Sequence, residues 1–251
     1  MCRVLLEWAQ IMKTVVIIQS NYIPWKGYFD LIHDADEFIF LDDVQFTKQD
    51  WRTRNKVNTR QGAQWITVPV GSNSNRLICE VEIKEHAWQA EHYKTIISNY
   101  SKCSFFHRYK SLLESIYLDH QWTYLSELNQ TLIKTISQSL GIQTVFKDSR
   151  EYGAEGKRQE RLLYLLSKSG GSRYISGPAA MGYIEPKSFE SAGIELVWKD
   201  YTGYPEYPQL FKAFDHGVSI LDLLFNVGPD APWYIWGWRQ GNLPLLQGSQ
   251  K

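Results

Sequence analysis

The segment from Val15 to Leu41 constrains the fold most strongly, because a strand, a helix and a second strand follow one another within it. Val15 to Gln19 is a short, continuous, mostly β-branched run that is typical of a buried strand. Pro24 is compatible with the first turn of a helix, and apolar residues at helical spacing continue to Asp34. Glu37 to Leu41 is again typical of a buried strand. Two strands joined by one helix are parallel with a right-handed crossover, so an α/β fold is predicted.

The same alternation returns in the second half of the chain and predicts three further strands. With the first two they form a Rossmann-like open parallel sheet of about five strands. Residues of about 60–140 are predicted to be an insertion, which consists of a β-hairpin and three helices. The predicted strands are Gln143–Lys147, Arg173–Ser176 and Ile194–Trp198; the hairpin pairs Gln64–Val70 with Leu77–Ile83, and the helices are His86–Tyr100, Phe105–Leu118 and Trp122–Leu140.

This pattern predicts a single α/β domain over residues 12–228. A disordered leader is expected over 1–11, with Met12 as a plausible natural start, and an irregular tryptophan-rich tail over 229–251. The net charge is +0, so no overall field favours nucleic acid as a partner. No apolar run approaches the roughly 20 residues of a membrane span. The 3 widely spaced cysteines suit a reduced, cytoplasmic protein. The oligomeric state stays open.

Polar side chains follow several of the predicted strands. Ligands of open α/β sheets collect at the carboxyl ends of the strands, so these side chains are the candidate site. Asp42 and Asp43, directly after the second strand, are candidate catalytic residues. They could act as an acid/base pair, hold a magnesium ion that accompanies a nucleotide, or grip ribose hydroxyls. The alternative is a turn whose carboxylates accept backbone N–H groups.

Several further groups could bind a substrate or a nucleotide. Gly27 permits close approach to the first helix, whose N-terminus suits an anion, although helix packing explains a glycine there equally well. Basic side chains in two places suit phosphate, with a charged exposed strand or solvated surface as the alternatives. Histidine spacing gives no HxxxH pattern, so no protein-bound metal site is expected. The candidate binding residues are Gln19, Asn21, Tyr22, Trp25, Gly27, Arg52, Arg54, Asn55, Lys157, Arg158, Ser176 and Gly177.

Five motifs occur along the chain in a characteristic order: Gln19–Asp30 (QSNYIPWKGYFD), Phe40–Asn55 (FLDDVQFTKQDWRTRN), Trp65–Val70 (WITVPV), Tyr174–Pro178 (YISGP) and Ser219–Gly228 (SILDLLFNVG). Together they resemble the WbqC-like family of bacterial proteins. This resemblance implies a cytoplasmic protein of cell-surface glycan assembly of the O-antigen type, and it suggests a role in modifying an activated amino sugar.

A second similarity, to cytidylyltransferase-type nucleotidyltransferases, lies in the layout of the first strand, loop and helix. Those enzymes carry an HxGH motif whose histidines contact nucleotide phosphates. Here Trp25 and Tyr28 stand at the histidine positions and only Gly27 is retained. The similarity therefore implies a sheet order of 3-2-1-4-5 and a nucleotide-sized pocket, without implying the same reaction.

Three functional hypotheses follow from these observations. The first is a transferase that adds an acyl or aminoacyl group to a nucleotide-activated amino sugar. The second is a nucleotidyltransferase-like enzyme that uses ATP or CTP, and the third is a non-catalytic module that binds glycan-assembly enzymes. In the enzyme hypotheses, Asp42 or Asp43 is the base or metal ligand, the basic side chains hold phosphates, and Ser176 and Gly177 present backbone donors.

Overall fold

The computed structural model describes residues 12–153 and 155–241, so the predicted leader at 1–11 and the end of the predicted tail lie outside the described residues. Its strands are β1 (Thr14–Ile18), β2 (Glu37–Phe40), β3 (Arg54–Thr59), β4 (Gly62–Thr67), β5 (Val145–Asp148), β6 (Arg173–Ser176) and β7 (Glu195–Trp198). Its α-helices are α1 (Lys26–His33), α2 (Ala87–Tyr100), α3 (Phe106–Tyr117), α4 (Leu125–Ser139), α5 (Arg158–Ser169), α6 (Pro186–Ser191), α7 (Ile220–Val227) and α8 (Ala231–Ile235).

A five-stranded parallel sheet with the order β5-β2-β1-β6-β7 forms the centre of the fold. Numbered among the parallel strands alone, this is the order 3-2-1-4-5, so the prediction of a Rossmann-like sheet is confirmed. The carboxyl ends of β1, β2 and β6 lie side by side, because β1 pairs with both of the other strands.

Both faces of the sheet are covered, which explains why the central strands β1 and β2 are largely continuous apolar runs rather than alternating ones. Val16 and Phe38 face a core that α1, α7 and the helical insertion complete. Val15, Ile17 and Ile39 face a second core, closed by α5 and α6. No helix in the described part of the chain has the length and hydropathy that a bilayer crossing requires.

The predicted hairpin of Gln64–Val70 with Leu77–Ile83 is wrong in its pairing. The hairpin is formed by β3 and β4, which meet at a tight turn where Gly62 has a φ of 99°. Leu77–Ile83 instead contains two isolated bridge residues, Leu77 and Glu82, and a 3-10 turn. The polar sequence of β3 hides its strand character, because Asn55 is buried through hydrogen bonds rather than through apolar contact.

The segment after Pro229 was predicted to be irregular, but it contains α8 and a short 3-10 helix. Arg239, in that 3-10 helix, donates two hydrogen bonds to the fully buried carboxylate of Asp30 in α1, at 2.9 and 2.8 Å. Lys199, which follows β7, lies 3.0 Å from the same carboxylate. The described part of the tail is therefore part of the folded domain, where an ion pair holds it to α1.

Candidate functional site

The loop after β1 is tied to the segment that leads into β3. The backbone N–H of Tyr22 donates to the carbonyl of Trp51 at 2.9 Å. The side chain of Asn55 donates to the carbonyls of Tyr22 and Ile23, at 3.1 and 2.8 Å. Asn55 was predicted to bind substrate, but its amide N–H group donates the hydrogen bonds that hold this loop.

Ile23 in this loop adopts a φ of 36°, in the left-handed region that β-branched residues rarely enter. Such a conformation costs about 1–3 kcal/mol and persists only where the surroundings hold it. The hydrogen bond from Asn55 to the Ile23 carbonyl does so here. The strained residue lies between Asn21 and Pro24, which both line a cavity.

This cavity, here named the carboxyl-edge cavity, has a volume of about 370 Å³. It lies beyond the end of β1, where a ligand was expected, and its size is within the range of small-molecule sites. Two indole rings and two side-chain amides dominate the lining, so it suits a ring-shaped ligand with polar substituents. The lining residues are Asn21, Pro24, Trp25, Trp51, Asn55 and Gly217.

Gly27 is required by the position of Trp25. A Cβ at Gly27 would lie 2.3 Å from Cζ2 of the Trp25 indole, closer than non-bonded carbon atoms approach. The indole therefore occupies the space over the first turn of α1, where a phosphate was considered. Tyr201 and Tyr204 contact the same indole at centroid distances of 5.3 and 6.0 Å, and so hold it at the cavity.

Tyr22 and Gln19 lie near this loop but not in the cavity lining. The ring of Tyr22 is fully buried among the insertion helices, and its hydroxyl lies 2.8 Å from Nδ1 of His92 and 2.6 Å from the hydroxyl of Tyr117. Burial raises the pKa of Tyr22 and lowers the pKa of His92 to about 4. Gln19 accepts a hydrogen bond from the Tyr28 hydroxyl through its backbone carbonyl at 2.9 Å. Tyr22 serves as a core residue here.

Asp42 is fully buried and surrounded by hydrogen-bond donors. It accepts from the backbone N–H of Ser20 at 2.8 Å, from the hydroxyl of Ser126 and from the amide of Gln130 at 3.1 Å. This arrangement is the predicted alternative of a carboxylate that stabilises a turn, extended to side chains of α4. Neutral donors occupy both of its oxygens, so the surroundings of Asp42 do not fit a magnesium ligand.

Asp43 points to different partners from those of Asp42. It accepts hydrogen bonds from the hydroxyl of Ser149 and from the guanidinium of Arg161 in α5. A charged partner and a serine thus hold this carboxylate, and the two aspartates do not share a ligand. Among the described residues, no group of three His, Cys, Asp or Glu side chains is placed to hold a metal ion.

The predicted basic residues divide into two places. Arg52 donates to the side chains of Asp50 and Thr47, while Arg54 stacks on the ring of Trp65, 4.4 Å from its centroid. Lys157 and Arg158 are exposed where α5 begins. Their neighbour in that helix, Arg161, binds Asp43 at the end of β2, so this pair lies along the sheet edge and outside the carboxyl-edge cavity lining.

Ser176 and Gly177 end β6 beside the loop after β7. Ser176 is buried, and its carbonyl accepts the backbone N–H of Lys199 at 2.9 Å. A Cβ at Gly177 would lie 3.7 Å from the hydroxyl of Tyr201, whose ring contacts Trp25. Gly177 therefore reaches the cavity only through Tyr201 and Trp25. Ser176 has a structural role in the sheet.

The candidate binding residues did not include three that line this cavity, Pro24, Trp51 and Gly217, nor the buried Lys26 that precedes Gly27. Gly217 comes from the loop before α7, and nothing in the sequence indicates that it lines a cavity with the loop after β1. Lys26 is only 2% exposed; its ammonium group donates to the carbonyl of Pro205 at 3.2 Å and lies over the rings of Tyr204 and Tyr207. Burial lowers the pKa of Lys26 to about 8.

Comparisons with known proteins point to one family. The model of the WbqC-like protein family matches residues 19–234. A protein of Mycobacterium tuberculosis (strain ATCC 25618 / H37Rv), named "Uncharacterized protein Rv1507c", is 46% identical over 231 residues, which cover 91% of this chain and 100% of that protein. No solved structure was found to match the chain. The matched range includes every lining residue of the carboxyl-edge cavity and extends into α8.

Proposed function

The chain belongs to the WbqC-like protein family, and on this premise we propose that it modifies a nucleotide-activated amino sugar in bacterial cell-surface polysaccharide biosynthesis. Family membership supports a role related to glycan biosynthesis at the level of the family. The proposed reaction is the transfer of an acyl or aminoacyl group in the cytoplasm. The carboxyl-edge cavity is the proposed sugar site.

The observation that carries this proposal is the pairing of two indole rings with a free amide in that cavity. The C–H faces of a sugar ring pack on indoles, while its hydroxyl groups need polar partners. Within the described residues, the side chain of Asn21 makes no hydrogen bond to the protein, so its amide is available to a hydroxyl or to an N-acyl group. Trp25 and Trp51 provide the apolar surfaces.

In the proposed reaction, the amine nitrogen of the sugar attacks the carbonyl carbon of an activated acyl donor such as a thioester. The new C–N bond forms as the C–S bond breaks, and the proton lost by the amine ends on the leaving thiolate. The products are an amide and a free thiol. Asp42 acts here as a positioning residue, because its carboxylate holds the backbone N–H of Ser20 at the start of the cavity loop.

The first test measures binding of UDP- and dTDP-activated amino sugars by calorimetry, and then the product mass after incubation with acyl-CoA donors. Asn21→Ala should weaken binding of the activated sugar about tenfold, the loss expected when a polar ligand group is left without its partner. Leu118→Ala is the matched control, because this side chain is 50% exposed at the end of α3. It should bind like the wild type.

Binding of an activated amino sugar, followed by a mass gain that matches one acyl group, supports the proposal. Wild-type protein that binds none of these sugars refutes it. Release of pyrophosphate from ATP or CTP would instead favour the nucleotidyltransferase hypothesis. Sugar binding with no product from any acyl donor would refute the transfer step and leave a binding module.

A further inference from the structure

We propose that the exposed face of the β3–β4 hairpin is a subsite for the nucleoside diphosphate of the activated sugar. The sugar itself then lies in the adjoining carboxyl-edge cavity. This inference rests on the proposed function and divides its substrate between two surfaces. The nucleobase packs on Trp65, and the diphosphate lies near Arg54 and Lys56.

The two faces of the hairpin differ because side chains alternate along a strand. Asn55 and Val57 of β3 and Ile66 of β4 point into the core. Lys56 of β3 is opposite Trp65 of β4 in the register, so these two side chains share the other face. Lys56 is half-buried and Trp65 is exposed, so this part of the outer face is open to a ligand.

Two tryptophans leave much of their surface in water at this face. Trp51 is 45% exposed and Trp65 is 44% exposed, and their rings lie 5.2 Å apart between centroids. An exposed indole contributes much less to the stability of the fold than a buried one, because its apolar surface stays in contact with water. Adjacent exposed indoles are instead a stacking surface for planar rings, and a nucleobase offers such a ring whatever its identity.

Cationic side chains flank the same rings. The guanidinium of Arg54 lies 4.4 Å from the centroid of the Trp65 ring, and the ammonium of Lys56 lies 5.6 Å from it. Lys56 is 3.7 Å from the carboxylate of Asp215, whereas Arg54 has no carboxylate within 4.0 Å among the described residues. The Nε of Arg54 makes no hydrogen bond either. A guanidinium without an acidic partner beside a stacking surface suits a phosphate.

Trp51 connects the two surfaces. Its ring lines the carboxyl-edge cavity and also contacts Trp65, while its carbonyl accepts the backbone N–H of Tyr22 from the cavity loop. A ligand that leaves the cavity therefore reaches Trp65 and Arg54 without crossing the core. In a nucleotide-sugar the diphosphate joins the sugar to the nucleoside, so a sugar in the cavity would bring the diphosphate and the base to the adjoining surface of Arg54 and Trp65.

The experiment compares free UDP, free dTDP, the free amino sugar and a UDP-activated amino sugar by calorimetry on the full chain. Trp65→Ala should weaken free UDP and the activated sugar by the same factor, about tenfold, because loss of a stacking ring acts on the base that both ligands share. Arg54→Gln should weaken both ligands and reduce the salt dependence of their binding. Arg60→Gln, an exposed cation in the turn of the same hairpin, is the matched control.

Equal affinity of the activated sugar for wild type and Trp65→Ala overturns the subsite but leaves the proposed function intact. Weakening of the free amino sugar by Trp65→Ala also overturns it, because the ring would then hold the sugar. If free UDP binds through Trp65 and no activated sugar binds, the subsite stands and the proposed function fails. Circular dichroism of each variant checks that the fold is kept.

Discussion

Replacing Gly27 by alanine tests whether the Trp25 indole is held at the cavity by the absence of a side chain below it. The added Cβ would lie 2.3, 2.6 and 2.7 Å from three atoms of the indole. The ring must then move, and an extra methyl group in a packed site costs about 1–3 kcal/mol. The free energy of unfolding of Gly27→Ala should fall by that amount.

The sign should reverse when the indole is removed. In a Trp25→Ala background the space above Gly27 is open, and alanine within a helix is more stable than glycine by about 0.5–1 kcal/mol. Gly27→Ala should therefore stabilise that background, which gives a coupling free energy of about 1.5–4 kcal/mol between the two positions.

Urea unfolding followed by circular dichroism measures all four proteins, since this signal does not depend on the removed tryptophan. Sugar binding gives a second readout, because a displaced indole should weaken the ligand in the single variant. An equal loss of stability from Gly27→Ala in both backgrounds would refute the reasoning, since the clash would then involve other atoms.

Four further predictions concern buried charges. Arg239→Ala should lower the free energy of unfolding by about 3 kcal/mol, because the buried Asp30 carboxylate loses its bidentate partner; Arg60→Ala, in an exposed turn, should change it little. Burial raises the pKa of Asp222 from 3.8 to about 6, so the protein loses stability as the pH rises through this window. Asp222→Asn should remove that loss, and its free energy of unfolding at pH 7 should exceed that of the wild type by about 1–3 kcal/mol. Equal stability of the two proteins at pH 7 would contradict this. Burial lowers the pKa of His92 from 6.5 to about 4, so stability is lost as the pH falls through this window, and a pH series of urea unfolding should show a flatter decline for His92→Gln. Asp42→Asn replaces a carboxylate oxygen that accepts from Gln130 by an amide that also donates, so it should lower the melting temperature and reduce the free energy of unfolding by about 1–3 kcal/mol. An unchanged melting temperature together with lost activity would instead support a catalytic role for Asp42.

The sheet could be predicted because the residues that indicate each strand are neighbours in the sequence. The strand from Val15 and the strand from Glu37 are continuous apolar runs, and the helix between them forces a parallel, right-handed connection. The hairpin could not be predicted correctly, because β3 has a polar sequence whose burial depends on hydrogen bonds to the loop after β1. The residue type of Asn55 does not reveal such partners.

Three of the candidate binding residues come together in the structure, whereas the candidate catalytic residues lie elsewhere. Asn21, Trp25 and Asn55 do meet in one cavity at the carboxyl edge. Asp42 was predicted to be catalytic because it follows a strand, but its donors Ser126 and Gln130 lie 84 and 88 positions along the chain. Contacts over such separations leave no periodic signal in the sequence.

Hydrophobic periodicity, turn residues and connection handedness determined the α/β class and the parallel sheet, while its strand order was implied by the similarity to nucleotidyltransferases. They also placed the candidate site at the carboxyl edge of the sheet. Only the tertiary structure decided that Trp51 and Gly217 complete the cavity beside Trp25, and that Gly27 serves an indole rather than a phosphate. The physical reason is the separation along the chain of the residues that interact. Backbone geometry and local side-chain spacing set the elements, whereas the lining of a cavity depends on how distant segments pack against each other.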